Sequence, residues 1–246
     1  MPMSIDLERT YRTRDLMEAL LADPRQLGPD YEPIHSLADA TLLGYKATGR
    51  GAAGTEFSDT LSLLDGARSL GFVERIDWAF RALAFEDMLE RPDVPLHLTP
   101  EPETYATPCA PRFARIMGRA NRELMVAAEV HHDAFTTGVS LDAGVREIRG
   151  WGWQLVLADL ADDDDVLRRA ATLAPDIVQI DLRLPGRIPP MEHPGVRRLL
   201  AIAAEAGAQV MALGVDSPGL RDAALELGAS SARGRVFGQP GALPTA

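Results

Sequence analysis

The chain has 246 residues, 46% of them hydrophobic, and a formal net charge of −11 at pH 7. That length suits one large α/β domain or two small ones, and the acidic balance argues against nucleic acid or an anionic membrane surface while leaving room for a small anion in a local basic pocket. Cys109 is the only cysteine, which excludes an internal disulfide and a multi-cysteine zinc centre and fits a reducing cytoplasm; no signal peptide is visible, and no apolar run approaches the roughly 20 residues of a membrane span.

Residues 5–23, "IDLERTYRTRDLMEALLAD", read as an amphipathic helix with Leu7, Leu16, Leu20 and Leu21 as candidate buried positions, ended by Pro24 and the turn "LGPD". Residues 1–24 are therefore expected to form an N-terminal helix packed on a domain spanning 25–246. "YEPIHSL" and "TLLGYKAT" flank "ADA" as a strand hairpin. Helical stretches then run near 57–70, 74–90, 111–121, 141–149, 163–173, 194–206 and 217–227. Between them lie the short apolar strands "PLHLT", "ELMVAAE", "QLVLAD", "IVQIDL", "QVMALGV" and "SARGRVF". This alternation predicts a parallel sheet, and about eight strands in one chain point to a (β/α)8 TIM-like barrel entered through an antiparallel hairpin. An open doubly wound sheet is the alternative.

"GRGAAG", Gly49 to Gly54, fits the glycine fingerprint of a dinucleotide-binding turn. That motif needs a second strand within a unit of roughly 30 residues. Here a second helix follows instead, so the glycines read as a loop at a barrel mouth. Asp162 to Asp165 read as a helix cap more readily than as a cation site. His131 and His132 sit just after a strand, but zinc needs three or four converging ligands. Trp151 and Trp153 read as packing on the N-terminal face of the barrel.

In segment order the chain resembles the EAL domain, a family that hydrolyses cyclic di-GMP on a (β/α)8 barrel. The likeness runs from roughly Leu16 to Pro244. "YEPIHSLADATLLGYKATGRG" is similar to the family's opening Q-P-I-x-D-L … G-Y-E-A-L-x-R, and "GFVERID" to G-L-I-x-x-L-D. "LHLTP" is similar to V-N-x-S-P, "LVLADLADDDD" to L-A-x-D-D-F-G-T-G, and "IVQID" to V-K-I-D. "VMALGVDS" resembles V-A-E-G-V-E-T, and "LGASSARGRVFGQP" resembles L-G-x-x-x-Q-G-Y-x-F-x-x-P.

Carried over residue by residue, the resemblance keeps scaffold and alters chemistry. The family's first Glu falls on Lys46, the only lysine of the chain, and its phosphate-contacting Arg is kept as Arg50. The Asn ligand falls on His97. In the E-I-T-E strand the ligand Glu falls on Val126 and the second Glu on Glu129. The paired aspartates become Ala158 and Asp159. The Lys of K-I-D becomes Gln179, with Asp181 kept. The Glu of A-E-G becomes Leu213, the later Glu becomes Asp216, and the Gln of Q-G-Y becomes Arg233. The glycine-rich loop that helps the family dimerise is replaced by "ADDDD", and homodimerisation stays open.

Two-metal phosphodiester hydrolysis needs carboxylates to hold both cations. Val126, Ala158 and Leu213 supply none, and an ammonium at Lys46 repels a divalent ion. The expectation is a catalytically inactive EAL-like regulatory protein, with no metal or cofactor, acting through a protein partner. Three roles for Lys46 stay open. It pairs internally with Glu129, Asp159 or Asp181; or it joins Arg50, His97 and Arg233 in an anion site for cyclic di-GMP or another phosphate ligand; or it is a catalytic amine of a repurposed enzyme.

Overall fold

The computed structural model describes residues 3–23, 26–105, 107–138, 140–160, 163–183 and 190–244, with side chains from Tyr11 onward. Helix α1 (Met3–Ala22) leads into a hairpin of β1 (Gly28–Ser36) and β2 (Leu42–Arg50), then α2 (Thr60–Leu70) and α3 (Val73–Met88). After β3 (Leu96–Leu98) come α4 (Ala114–Glu123), β4 (Val126–Val130), the short α5 (Asp133–Thr136) and α6 (Leu141–Gly150). The rest alternates: β5 (Gln154–Leu157), α7 (Asp164–Ala171), β6 (Ile177–Asp181), α8 (Pro194–Ala206), β7 (Gln209–Leu213), α9 (Pro218–Glu226) and β8 (Ser231–Ala232). The strands close into a barrel in the order β1 to β8. β1 is antiparallel to both β2 and β8, and the remaining pairs are parallel. The barrel and its antiparallel entry are thus those expected from the alternation, and the open sheet is not formed.

Strand alternation sorts side chains between the barrel interior and the helices. Ile34, Ala127, Val156, Ile177, Met211 and Leu213 pack together inside the barrel. Leu96, Leu98, Val126, Ala128 and Val130 face outward and pack with Phe85, Met88 and Met117 of α3 and α4. A second outer layer joins β5–β8 to α7–α9 through Val178, Ile180, Leu199 and Ala224. Met17, Leu20 and Leu21 of α1 are buried against Leu63, Ala67 and Ile76 of α2 and α3. Each such fully buried aliphatic side chain contributes about 1.5–3 kcal/mol. Leu16 is half-buried beside this cluster, and the side chain of Leu7 lies outside the described residues.

Helix starts follow local chemistry. Asp163 accepts hydrogen bonds from the Asp165 and Val166 amides, so the acidic run caps α7 as expected, Asp162 lying outside the described residues. Asp59 caps α2 through the Ser62 amide at 3.0 Å. Two of the three fingerprint glycines are required by close approach, and Gly54 by a left-handed φ of 78°. A Cβ on Gly49 would lie 2.4 Å from the Phe80 ring, and one on Gly51 would lie 2.1 Å from the Phe57 carbonyl oxygen. The two tryptophans pack ring on ring at 4.5 Å just before β5, with Trp153 against Phe85.

Candidate functional site

Inward-facing positions of neighbouring strands meet inside the upper barrel. Glu32 of β1 stands opposite Lys46 of β2, and Lys46 opposite His97 of β3. The Lys46 ammonium donates to Glu129 Oε2 on β4 at 2.7 Å and to Thr99 Oγ1. Thr99 Oγ1 itself lies 3.2 Å from the same carboxylate oxygen, and Gln179 Nε2 of β6 donates to Glu129 Oε1 at 2.7 Å. His97 Nδ1 is 3.6 Å from Glu129 Oε1, beyond a good hydrogen bond. Lys46, His97, Glu129 and Gln179 are all buried. Both oxygens of Glu129 are therefore occupied by side chains of this chain.

Electrostatics follow from that packing. Burial opposes the charge on Glu129, but the Lys46 ammonium, with His97 and Arg233 beyond it, outweighs burial and holds the carboxyl well below its usual range. Burial pulls the Lys46 ammonium below the usual lysine value, and the attraction of Glu129 opposes that pull.

The other sequence-selected residues form a rim of separate ion pairs. Arg233 pairs with Glu32. Arg50 Nε lies 3.0 Å from Asp30 Oδ1, both side chains being part-exposed. Asp181 accepts from the Arg183 amide at 2.8 Å and pairs with its guanidinium at 2.6 Å. Burial pushes the Asp181 carboxyl up, but Arg183 outweighs it and the net shift is downward. Asp216 accepts from the Arg235 amide at 2.9 Å and faces its guanidinium. Asp159 is exposed at the end of β5, in a left-handed backbone conformation with φ 46°. Lys46, His97 and Glu129 are thus brought together with Arg233 close by. Arg50, Asp159, Asp181 and Asp216 stand apart from that cluster.

One alignment expectation is corrected. Val126 faces the helices on the outer surface of β4 and cannot stand for an inward ligand. The inward carboxylate of β4 is Glu129, three residues on. Glu32, Thr99 and Gln179 complete the cluster, and period two could have found the first two. Thr99 lies two residues beyond His97, and Glu32 pairs with Lys46 across the hairpin.

The residues present do not fit a divalent metal centre. The cluster offers two carboxylates, Glu129 already bonded to an ammonium and Glu32 already paired with a guanidinium, and Ala158 and Leu213 are apolar. Among the described residues no three His, Cys, Asp or Glu side chains converge so as to hold a metal ion, His131 and His132 included. No helix among the described residues is long and apolar enough to cross a membrane.

Comparison with known proteins agrees with this architecture. No curated protein sequence matches the chain. Among solved structures, the FimX EAL domain of Xanthomonas citri, in complex with c-diGMP, superposes with a TM-score of 0.77 at 16% identity, covering 99% of this chain and 98% of that one. The FimX EAL domain of Pseudomonas aeruginosa, bound to c-di-GMP, gives 0.76 at 14% identity over 93% and 96%. The Bacillus subtilis YkuI protein, in complex with substrate c-di-GMP and calcium, gives 0.73 at 17% identity; it covers 93% of this chain, which spans only 59% of YkuI. The EAL domain family model matches residues 13–240, and the chain belongs to the EAL domain family.

Proposed function

We propose that this chain is a degenerate, non-hydrolysing EAL domain, a regulatory module of the cytoplasm that acts by binding a protein partner. The observation that supports this reading best is the Lys46–Glu129 pair, which puts a fixed ammonium, hydrogen-bonded at 2.7 Å, among the residues that would have to hold divalent ions. A side-chain cation there needs no metal and repels one. On this reading residues 1–24 are a helix appended to a barrel of 25–246.

The ligand-sensor reading draws on the relatives, several of which carry c-di-GMP. The geometry favours it less. Lys46, Arg50 and Arg233 each already face a carboxylate, so an incoming phosphate must displace an internal partner. A catalytic Lys46 is favoured by no contact beyond that same ion pair.

The test is titration of the purified chain with cyclic di-GMP, and a hydrolysis assay, each with Mg²⁺ and with Mn²⁺. No turnover and no metal-dependent binding are expected. Turnover, or two metal ions bound per chain, overturns the reading. Nucleotide binding without turnover moves the assignment to the sensor.

A further inference from the structure

Beside the barrel interior, on its flank, a cavity of about 210 Å³ lies between β2 and β3 on one side and α2 and α3 on the other. Its walls are mostly apolar: Leu64 of α2, Phe80 and Ala84 of α3, and Leu98 of β3. An apolar cavity of about 150 Å³ takes a benzene-sized molecule, so this chamber admits a ring with a short substituent. Two carboxylates, Asp77 and Glu101, also line it.

The charges around that wall do not balance. Asp77 is held by Arg81, one turn along α3, and by Thr104. Arg68 of α2 serves two acids at once, Glu101 at 2.6 Å and Glu103 at 2.8 Å. Three carboxylates thus share two guanidiniums. Glu103 and Arg68 are part-exposed, whereas Glu101 is 7% exposed, so the imbalance falls on the buried member. Lys46 also lines the chamber, but its charge is matched by Glu129. A buried carboxylate with half a counter-ion is costly unless something neutralises it.

We propose that this flank cavity is a binding site for a small organic monocation, an arylalkyl- or alkylammonium whose charge rests on Glu101 and whose apolar body lies against Leu64, Phe80 and Leu98. The ammonium supplies the missing positive charge, and Phe80 gives the apolar body an aromatic wall. The chamber shares Lys46 and Thr99 with the interior cluster as lining, but the proposed ligand's charge rests on Glu101, so the proposal does not depend on the regulatory reading.

Without a ligand the same imbalance is relieved by a proton. Burial, with Asp77 next in weight, raises the Glu101 carboxyl to about 7 against the opposing pull of Arg68; Glu103 and Asp133 of α5 add to the rise. The remaining charges around it are Arg81 and Lys46. A bound cation favours the ionised carboxyl, so binding releases that proton and strengthens as pH rises through about 7.

Benzylamine tests the site in the full chain by calorimetry, with benzyl alcohol and benzoate as neutral and anionic isosteres. Saturable binding of benzylamine is expected, about tenfold tighter at pH 8 than at pH 6, with neither isostere sharing the pH dependence. Glu101→Gln should weaken it about tenfold or more and abolish the pH dependence. Ala84→Leu, which fills the chamber with an apolar side chain and leaves every charge in place, should block binding in a folded protein. The proposal falls if benzylamine does not bind at pH 8, if benzyl alcohol binds as tightly, or if binding survives Ala84→Leu unchanged.

Discussion

Two buried charge clusters lie within one cavity's reach of each other and solve opposite problems. In the barrel interior, Lys46 and Glu129 meet one to one, and Thr99 and Gln179 take up the remaining hydrogen bonds of the carboxylate. On the flank, Asp77, Glu101 and Glu103 share Arg68 and Arg81. The consequence is visible in the acids. Glu129 is held well below the usual carboxyl range, whereas Glu101 rises to about 7. Both are almost fully buried, so burial alone does not set the direction. The number of cations per carboxylate does.

The strongest way to break this comparison is to unbalance the balanced cluster. Lys46→Met removes the ammonium in contact with buried Glu129 and leaves Arg233 only at longer range, and should cost about 3–5 kcal/mol of unfolding free energy in urea. Adding Glu129→Leu should return most of that loss, because an apolar pair of similar volume needs no counter-ion. If the double variant is as unstable as the single one, the pair is not the source of the effect.

The flank cluster should respond to pH instead. A carboxyl at about 7 when folded, against 4.5 in the open chain, binds more protons folded than unfolded between those values. Its contribution therefore favours the fold fully below about 4.5 and is lost as pH rises through about 7, a difference of up to about 3 kcal/mol. Glu101→Gln should flatten that part of the stability–pH curve. A wild-type curve with no fall between pH 5 and 8 beyond that of Glu101→Gln would refute the assignment. Smaller still is the cap of α7. Asp163→Ala should cost about 1 kcal/mol, read as a lower urea midpoint at unchanged slope. It touches neither cluster, so the pH dependence should stay as in wild type.

Barrel and hairpin were legible because helical and strand periods alternate along the chain, and the glycine loop because no strand follows α2. The candidate site was legible only in part. Lys46 stood out, yet its partner was open among three acids. Which acid it meets is fixed by where each strand ends. Asp159 lies past the end of β5 and is exposed, and Asp181 turns to Arg183 two residues on. The Val126 alignment failed for a related reason. "LMVAAEV" is apolar almost throughout, as strands covered on both faces are, so no polar alternation marks its inner side. The flank cluster was invisible for another. Asp77 and Arg81, four apart on a helix, have the spacing of an ordinary surface ion pair, and nothing in that spacing marks them as buried. They are buried because the turn after β3 lays Glu101 and Thr104 over them.

Arg50 and Asp30 supply the control for both clusters. Their geometry, Nε to Oδ1 at 3.0 Å, is hardly worse than that of Lys46 and Glu129, but the side chains are 44% and 32% exposed rather than 7% and 4%. Water already screens each charge, so removing one partner leaves the other solvated rather than stranded. Arg50→Ala should therefore cost no more than about 1 kcal/mol, and the Arg50–Asp30 coupling in a double-mutant cycle should shrink further in concentrated salt. The interior pair should keep its coupling under the same salt, because little solvent reaches it. If Arg50→Ala costs as much as Lys46→Met, then contact distance rather than burial governs these pairs, and the Lys46 ammonium loses its special standing as the barrel's internal cation.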